Sequence, residues 1–289
     1  MGEKTGIAWT DHTRNFWSGC TKIGPGCNAC YAEAFQRRFV GVNADTGEAN
    51  NWGPGAPRTP HLEGAVKEIH RWDIKAKKAG VKRLVFINSQ SDFFDNEVPN
   101  EWRSCAYDVF ADCENLEFLL VTKRIGNVEK MVDPRWIESG FPDNVRLLIT
   151  VCNQEEADRD IPKLLDLTRH AKCKNGLSME PLLGPIDLAQ ACAKYRWRDP
   201  DGVECCALPR HIDWVIVGGE STQGAGKART FDIAWARSTI EQCKAAGVAA
   251  FFKQAGSTPH IDGVQLKLKD RAGGDMAELP ADVNVREFP

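Results

Sequence analysis

Apolar runs of strand length recur along this chain, and each is followed by a stretch with helical spacing. Residues 83–88 (RLVFIN) are the clearest early strand, and 102–110 then reads as a helix. The next strand is 117–122 (EFLLVT), followed by a short helix over 126–132. After 145–151 (VRLLITV) comes a helix over 155–169. Residues 174–180 (KNGLSME) are a weaker strand, and 212–217 (IDWVIV) a strong one with a helix over 233–246 behind it. Residues 249–253 (AAFFK) close the series. Strands alternating with helices imply βαβ units and a mostly parallel sheet. A continuous apolar strand such as VRLLITV suits a sheet covered on both faces. At least six such units in 289 residues predict an α/β fold built as a partial or complete (β/α) barrel, with an open doubly wound sheet as the alternative.

Two stretches break the alternation. Residues 42–59 are rich in Gly, Asn and Pro and read as a long loop. Residues 189–211 carry Cys192, Cys205, Cys206 and the charged run RWRDPDG, and read as an insertion before a late strand. Long loops in compact domains are often functional, although a solvated excursion fits as well. The expected division is a barrel domain over 1–256 and a C-terminal extension over 257–289. With 42% hydrophobic and 27% charged residues, the chain is neither disordered, nor collagen-like, nor a simple coiled coil. No run reaches the roughly 18 apolar residues of a membrane helix, and the N-terminus lacks the apolar core of a signal peptide, so a cytoplasmic protein is expected. Its formal net charge of -3 means that any basic groove for nucleic acid has to be local.

Eleven cysteines are many for a reducing compartment, where clustered thiols more often mean metal or catalysis than disulfides. The sharpest cluster is GCTKIGPGCNACY, in which Cys20, Cys27 and Cys30 are spaced C-x6-C-x2-C. Gly24, Pro25 and Gly26 let the backbone turn back between the first two thiols. Thiolates favour Zn²⁺ or an iron–sulfur cluster. Structural zinc takes four protein ligands and this loop offers three, so His12 or a distant cysteine would have to be the fourth. A 4Fe–4S cluster on three cysteines instead keeps one iron open for a small molecule. Zinc and a metal-free loop remain the alternatives.

The opening TGIAWTDHTRNFWSGCTKIGPGCNACYAEAF resembles the start of the phage-associated three-cysteine-motif proteins, radical S-adenosylmethionine (SAM)-like proteins long catalogued as a domain of unknown function. The resemblance continues through INSQSDFFDNEVP, LLVTKR, SMEPLLGPIDL, DWVIVGGES and FFKQAG, and so covers roughly residues 5–256. It implies a barrel of the radical SAM type in which Cys20, Cys27 and Cys30 hold a 4Fe–4S cluster completed by SAM. The wider superfamily spaces its cysteines C-x3-C-x2-C, whereas six residues fill the first gap here. Tyr31, directly after the last cysteine, matches the aromatic that packs near the SAM adenine, and Trp9 and Trp17 flank the loop as shields from water.

In such folds sites are built at the carboxyl ends of strands, and the remaining motifs lie at such ends. Asn88, Ser89, Ser91 and Asp92 follow RLVFIN, where they could grip the SAM ammonium or simply cap a turn. Lys123 and Arg124 end LLVT and could take a carboxylate or phosphate, the alternative being a solvated face. Glu180 suits a ribose hydroxyl, a substrate amine or a structural ion pair. Gly218, Gly219 and Glu220 resemble the superfamily's glycine-rich SAM stretch, and paired glycines permit close backbone approach to a ligand. One of Lys253 and Gln254 is expected to face the cavity as a catalytic group. Cys152 could give a hydrogen atom to a substrate radical, or be a small buried filler. Cys192, Cys205 and Cys206 are too irregularly spaced to predict a second metal.

The expected activity is reductive cleavage of SAM to a 5′-deoxyadenosyl radical that abstracts hydrogen from a small-molecule or nucleotide substrate, including a nucleic-acid base, with an external electron donor and room for a protein partner. The rival readings are a non-catalytic metal-stabilised binding protein and a SAM-independent nucleic-acid-processing factor.

Overall fold

The computed structural model describes residues 5–222 and 227–289. Seven strands carry the main sheet: β1 (His12–Arg14), β2 (Arg83–Ile87), β3 (Leu116–Thr122), β4 (Val145–Thr150), β5 (Lys174–Met179), β6 (Trp214–Gly218) and β7 (Ala249–Gln254). They stand in chain order, from β1 at one end to β7 at the other. The β1–β2, β2–β3, β5–β6 and β6–β7 pairs are parallel. A doubly wound sheet reverses its strand order near the middle. This order never reverses, so the winding is that of a (β/α) barrel in its partial form. All six residues of β4 are buried, as a strand covered on both faces requires.

The helices are α1 (Tyr31–Val40), α2 (Leu62–Ala79), α3 (Asn100–Asp112), α4 (Ile125–Met131), α5 (Pro134–Ser139), α6 (Gln154–Ala171), α7 (Leu188–Ala193) and α8 (Ile233–Ala246). Sequence signals explain their ends. The Asp232 carboxylate accepts from the Ala234 N–H at the start of α8, and Gly247 closes it with φ +69. In α2, Ala65, Ile69, Trp72 and Ala76 form the buried stripe at helical spacing. No described helix is long and apolar enough to cross a membrane.

The described chain forms two compact units. The first comprises Cys30–Leu148, His170–Lys174 and the described part of Met1–Gly24. Its core is aromatic: Phe110 packs on Phe118 with ring centroids 4.4 Å apart, and Trp17 packs on Phe93 at 5.1 Å. The second comprises Pro25–Ala29, Ile149–Arg169 and the described part of Asn175–Pro289. Its core sets Trp214 against Phe251 and Phe288, and Phe231 against Phe252.

The loop at 42–59 is exposed over 42–47 but then packs inward, with Ala49, Asn51, Trp52 and Arg58 buried. The stretch at 189–211 is folded as most of α7 and a hairpin pairing Arg196–Arg198 with Glu204–Cys206. The chain end returns to the sheet: Phe252 donates to the Val285 carbonyl and Glu287 to that of Ala250, covering one side of β7.

Candidate functional site

In the first unit the start of the cysteine loop, up to Gly24, follows the carboxyl end of β1 and meets the carboxyl ends of β2 and β3. Gly19 brings it there. Its φ is +102 and a Cβ would lie 2.5 Å from the Asn51 carbonyl oxygen, so no other residue fits without movement. Its N–H donates to the Gln90 carbonyl. Next comes Cys20, whose Sγ accepts from the Arg124 guanidinium at 3.6 Å. Arg124 also donates to the Thr21 carbonyl at 2.8 Å and pairs with Asp92 at 3.3 Å and Asp95 at 3.8 Å. Arg58 pairs with Asp95 at 2.8 Å and donates to Thr21 Oγ1 at 2.8 Å. Both arginines and both aspartates are at most 9% exposed. Two positive and two negative groups thus alternate in a buried ladder that grips the residue beside Cys20.

Burial would lower the affinity of Arg124 for its proton, but Asp92, Cys20 and Asp95 reverse this and push its pKa upward. The Cys20 thiol is pushed up to about 12, mainly by burial and by Asp92 and Asp95, with Arg124 opposing. Arg124 is therefore the group in this ladder that favours a Cys20 thiolate.

The ladder changes the roles expected of Asp92 and its neighbours. One Asp92 oxygen accepts from the Phe94 N–H and the Thr122 hydroxyl, and the other accepts from the Lys123 N–H and forms the ion pair with Arg124. In this structure its carboxylate ties β2 to β3. Asn88 adopts φ +60 at the strand end and accepts from the Phe16 N–H at 2.8 Å. Ser91 donates to the Trp17 carbonyl, and Ser89 accepts from the Tyr31 hydroxyl through its carbonyl at 2.6 Å. These residues shape the strand end. Lys123 lies beside them with its N–H on Asp92.

Buried amides fix α1 to this end: Gln36 donates to Gln90 Oε1 at 2.6 Å and accepts from Asn51 at 3.0 Å. Cys20 and Cys30 pack against the same apolar group of Ala32, Ala49 and Trp52. Trp9 and Trp17 are core residues, with Trp17 against Phe93 and Trp9 against Phe86. The His12 ring stacks on Trp72 at 4.5 Å.

In the second unit the strand ends carry paired ions. Glu180, after β5, pairs with Lys253 of β7 at 2.8 Å. Gly218 leaves room for that carboxylate, since a Cβ would lie 3.0 Å from Glu180 Oε1. At Gly219 a Cβ would fall 2.3 Å from the Ala255 carbonyl oxygen. The close approach that the paired glycines permit is therefore made to Glu180 and to the protein's own backbone. Gln254 donates to the Gly219 carbonyl at 3.0 Å and to the Ser221 hydroxyl at 2.6 Å, so its amide braces the loop after β6.

Glu220 receives Arg229 through both its oxygens. Burial raises the Glu220 pKa, but the Arg229 hydrogen bonds outweigh it and hold the carboxyl below its ordinary value. Arg229 also donates to the Pro25 carbonyl at 2.7 Å. Its pKa is raised chiefly by the Glu220 hydrogen bonds, with smaller contributions from Cys152 and Cys27. Cys152 is enclosed, its N–H on the Glu156 carboxylate.

Cys192 is buried in α7, while Cys205 and Cys206 are neighbours on one hairpin strand and point to opposite faces. Among the described residues no three His, Cys, Asp or Glu side chains are grouped so as to hold a metal ion. What fits an iron–sulfur cluster is donor chemistry: three cysteines, one of which accepts an N–H···S bond from a buried arginine, the contact that tunes cluster sulfur.

Three groups escaped the sequence reading. Asp95 lies within the quoted FFDNEVP motif, three residues beyond Asp92, and its spacing was a usable signal. Arg58 and Arg229 lie in loops whose sequence carries no signal of their acid partners.

Fold and site together define a parallel α/β protein that keeps ionic side chains and a cysteine loop at the carboxyl ends of its strands. The chain belongs to the family described as Protein of unknown function (DUF5131), which matches residues 4–279. No curated protein and no solved structure matches it.

Proposed function

We propose that the protein is an iron–sulfur enzyme of the radical SAM kind, with Cys20, Cys27 and Cys30 as cluster ligands and a nucleotide or nucleic-acid base as substrate. The observation that carries this reading is the Arg124 N–H···S bond to Cys20, made at the carboxyl ends of parallel strands by an arginine that two buried aspartates hold in place. When bound, the cluster supplies the electron that cleaves SAM to methionine and a 5′-deoxyadenosyl radical. Metal binding requires thiolates, and Arg124 stabilises that form of Cys20. Asp92 and Asp95 are positioning residues, because they act through Arg124. The Glu180 and Glu220 carboxylates suit an ammonium or a ribose hydroxyl, and Lys253 and Arg229 suit a carboxylate or phosphate. The Lys253 and Arg229 ends of these pairs are partly open, so they can exchange partners with a charged ligand.

The test is anaerobic purification, iron and sulfide analysis, then addition of reductant and SAM. Iron and sulfide with release of 5′-deoxyadenosine is expected, and both are lost in Cys20→Ala, Cys27→Ala and Cys30→Ala. Zinc without iron, or iron without SAM cleavage in the presence of nucleotide and oligonucleotide substrates, would overturn the reading.

A further inference from the structure

The helix that starts directly after Cys30 exposes an aromatic face. Tyr31, Phe35 and Phe39 recur at intervals of four residues and are 46%, 37% and 69% exposed. Phe35 and Phe39 lie ring to ring at 4.7 Å with a 43° tilt. Helical spacing puts Arg38 on this same face. The acid of α1, Glu33, is buried elsewhere and neutralised by Lys22 and Arg37 at 2.7 Å each. Lys22 is paired with Glu33 and Glu48, and Arg37 with Glu33, so the charge that this face itself offers is the Arg38 guanidinium. Core packing does not explain the rings, because the helix buries Ala32, Glu33 and Gln36 instead. A contiguous exposed apolar patch on a soluble domain marks an interaction surface.

We propose that this face of α1 binds single-stranded nucleic acid, with bases stacked on Phe35 and Phe39 and the backbone phosphate on Arg38. Exposed rings in series with arginine between them form a stacking platform for unpaired bases, and every base offers the π-face that such a platform takes. The charge sign agrees, since the face offers a guanidinium and no carboxylate. Duplex bases are already stacked on one another, so the platform selects single strands. Stacking reads the π-face of a base and a phosphate contact reads charge, neither of which depends on the sugar, so DNA and RNA are expected to bind alike. A strand lying on this helix is held next to the cysteine loop. The inference deepens the choice of a nucleic-acid base as substrate, but it is read by binding alone and needs no cluster chemistry.

The experiment titrates the full chain, purified without oxygen, into fluorescent oligothymidylate and oligouridylate of about 12 nucleotides, a length within known single-strand site sizes. Similar affinity for both and weaker binding of a matched duplex are expected. Phe39→Ala and Phe35→Ala each weaken binding by between about fivefold and a hundredfold, the loss of one stacked base. Arg38→Ala lowers the slope of log affinity against log salt by about 0.7, one phosphate contact on a single strand. Phe39 is largely exposed, so the unfolding midpoint of Phe39→Ala stays near that of the parent, and Arg38→Glu gives a second surface variant. Absence of binding, or binding that none of these variants changes, would overturn the proposal. So would concentration-dependent dimerisation that is lost in Phe35→Ala and Phe39→Ala while oligonucleotide affinity stays constant, because a second copy would then be the occupant. Each of these failures leaves SAM cleavage as a separate measurement.

Discussion

The strand ends of the two units carry charge in different ways. Around Cys20, Arg58, Asp92, Asp95 and Arg124 are all buried and interlocked, and each acid is shared by more than one donor. In the second unit Glu180 has Lys253, with 14% and 23% of their side chains open, and Glu220 has Arg229, with 6% and 33% open, so one end of each pair reaches water. A buried ladder is over-determined and fixes geometry, because removing one member strands the others without water. A pair whose cation reaches water, as Lys253 and Arg229 do, can trade partners more readily. The first arrangement suits a group that must not move, and the second suits groups that meet a ligand.

The comparison is broken most severely by removing a rung of the ladder. Arg58→Ala takes from buried Asp95 its 2.8 Å ion-pair partner, leaving Arg124 at 3.8 Å, and is expected to cost about 3–5 kcal/mol, read from the denaturant midpoint. A loss below about 1 kcal/mol would mean that water enters the ladder and that it fixes nothing. Gly219→Ala tests whether the backbone of the second unit is as tightly set as the ladder. Its Cβ would fall 2.3 Å from the Ala255 carbonyl oxygen, and overpacking of this kind costs about 1–3 kcal/mol in the same measurement.

Glu180→Gln sharpens the contrast between fixing and meeting. Stability should change by less than about 1 kcal/mol, as for a solvated pair. SAM cleavage should fall by about tenfold or more, equivalent to about 1.4 kcal/mol of lost interaction. Equal effects on both would place Glu180 with the ladder. The smallest effect is expected with pH. Arg229 holds the Glu220 carboxyl below 4.5, so its contribution to stability is present above pH 4.5 and is lost as pH falls through the lower folded value. In Arg229→Gln that part of the acid slope should flatten between pH 4.5 and the acid transition, as measured by thermal unfolding across pH.

Much of the sheet was legible because buried strands are continuous apolar runs. Residues 145–151 were expected as a strand, and Val145–Thr150 is one. The helix over 233–246 matches α8, whose Asp232 cap and closing Gly247 are local signals. β1 is three residues long and too short to read. α2 went unread because its buried stripe has two alanines among four residues and its surface is densely charged. At the site, residue types and their place after strands were readable, but partners were not. Asp92 reads as a ligand for an ammonium or as a cap, and neither reading names Thr122 and Arg124, its partners across 30 or more residues of chain.

By itself the sequence determined six of the seven sheet strands with the longer helices between them, the three-cysteine spacing and the chemical kind of each strand-end residue, because periodicity and spacing are local properties. Tertiary structure decided which acid meets which base. Arg58 reaches Asp95 and Arg229 reaches Glu220 only once distant loops fold back over the strand ends, and no local pattern encodes a pairing that burial and long-range packing create.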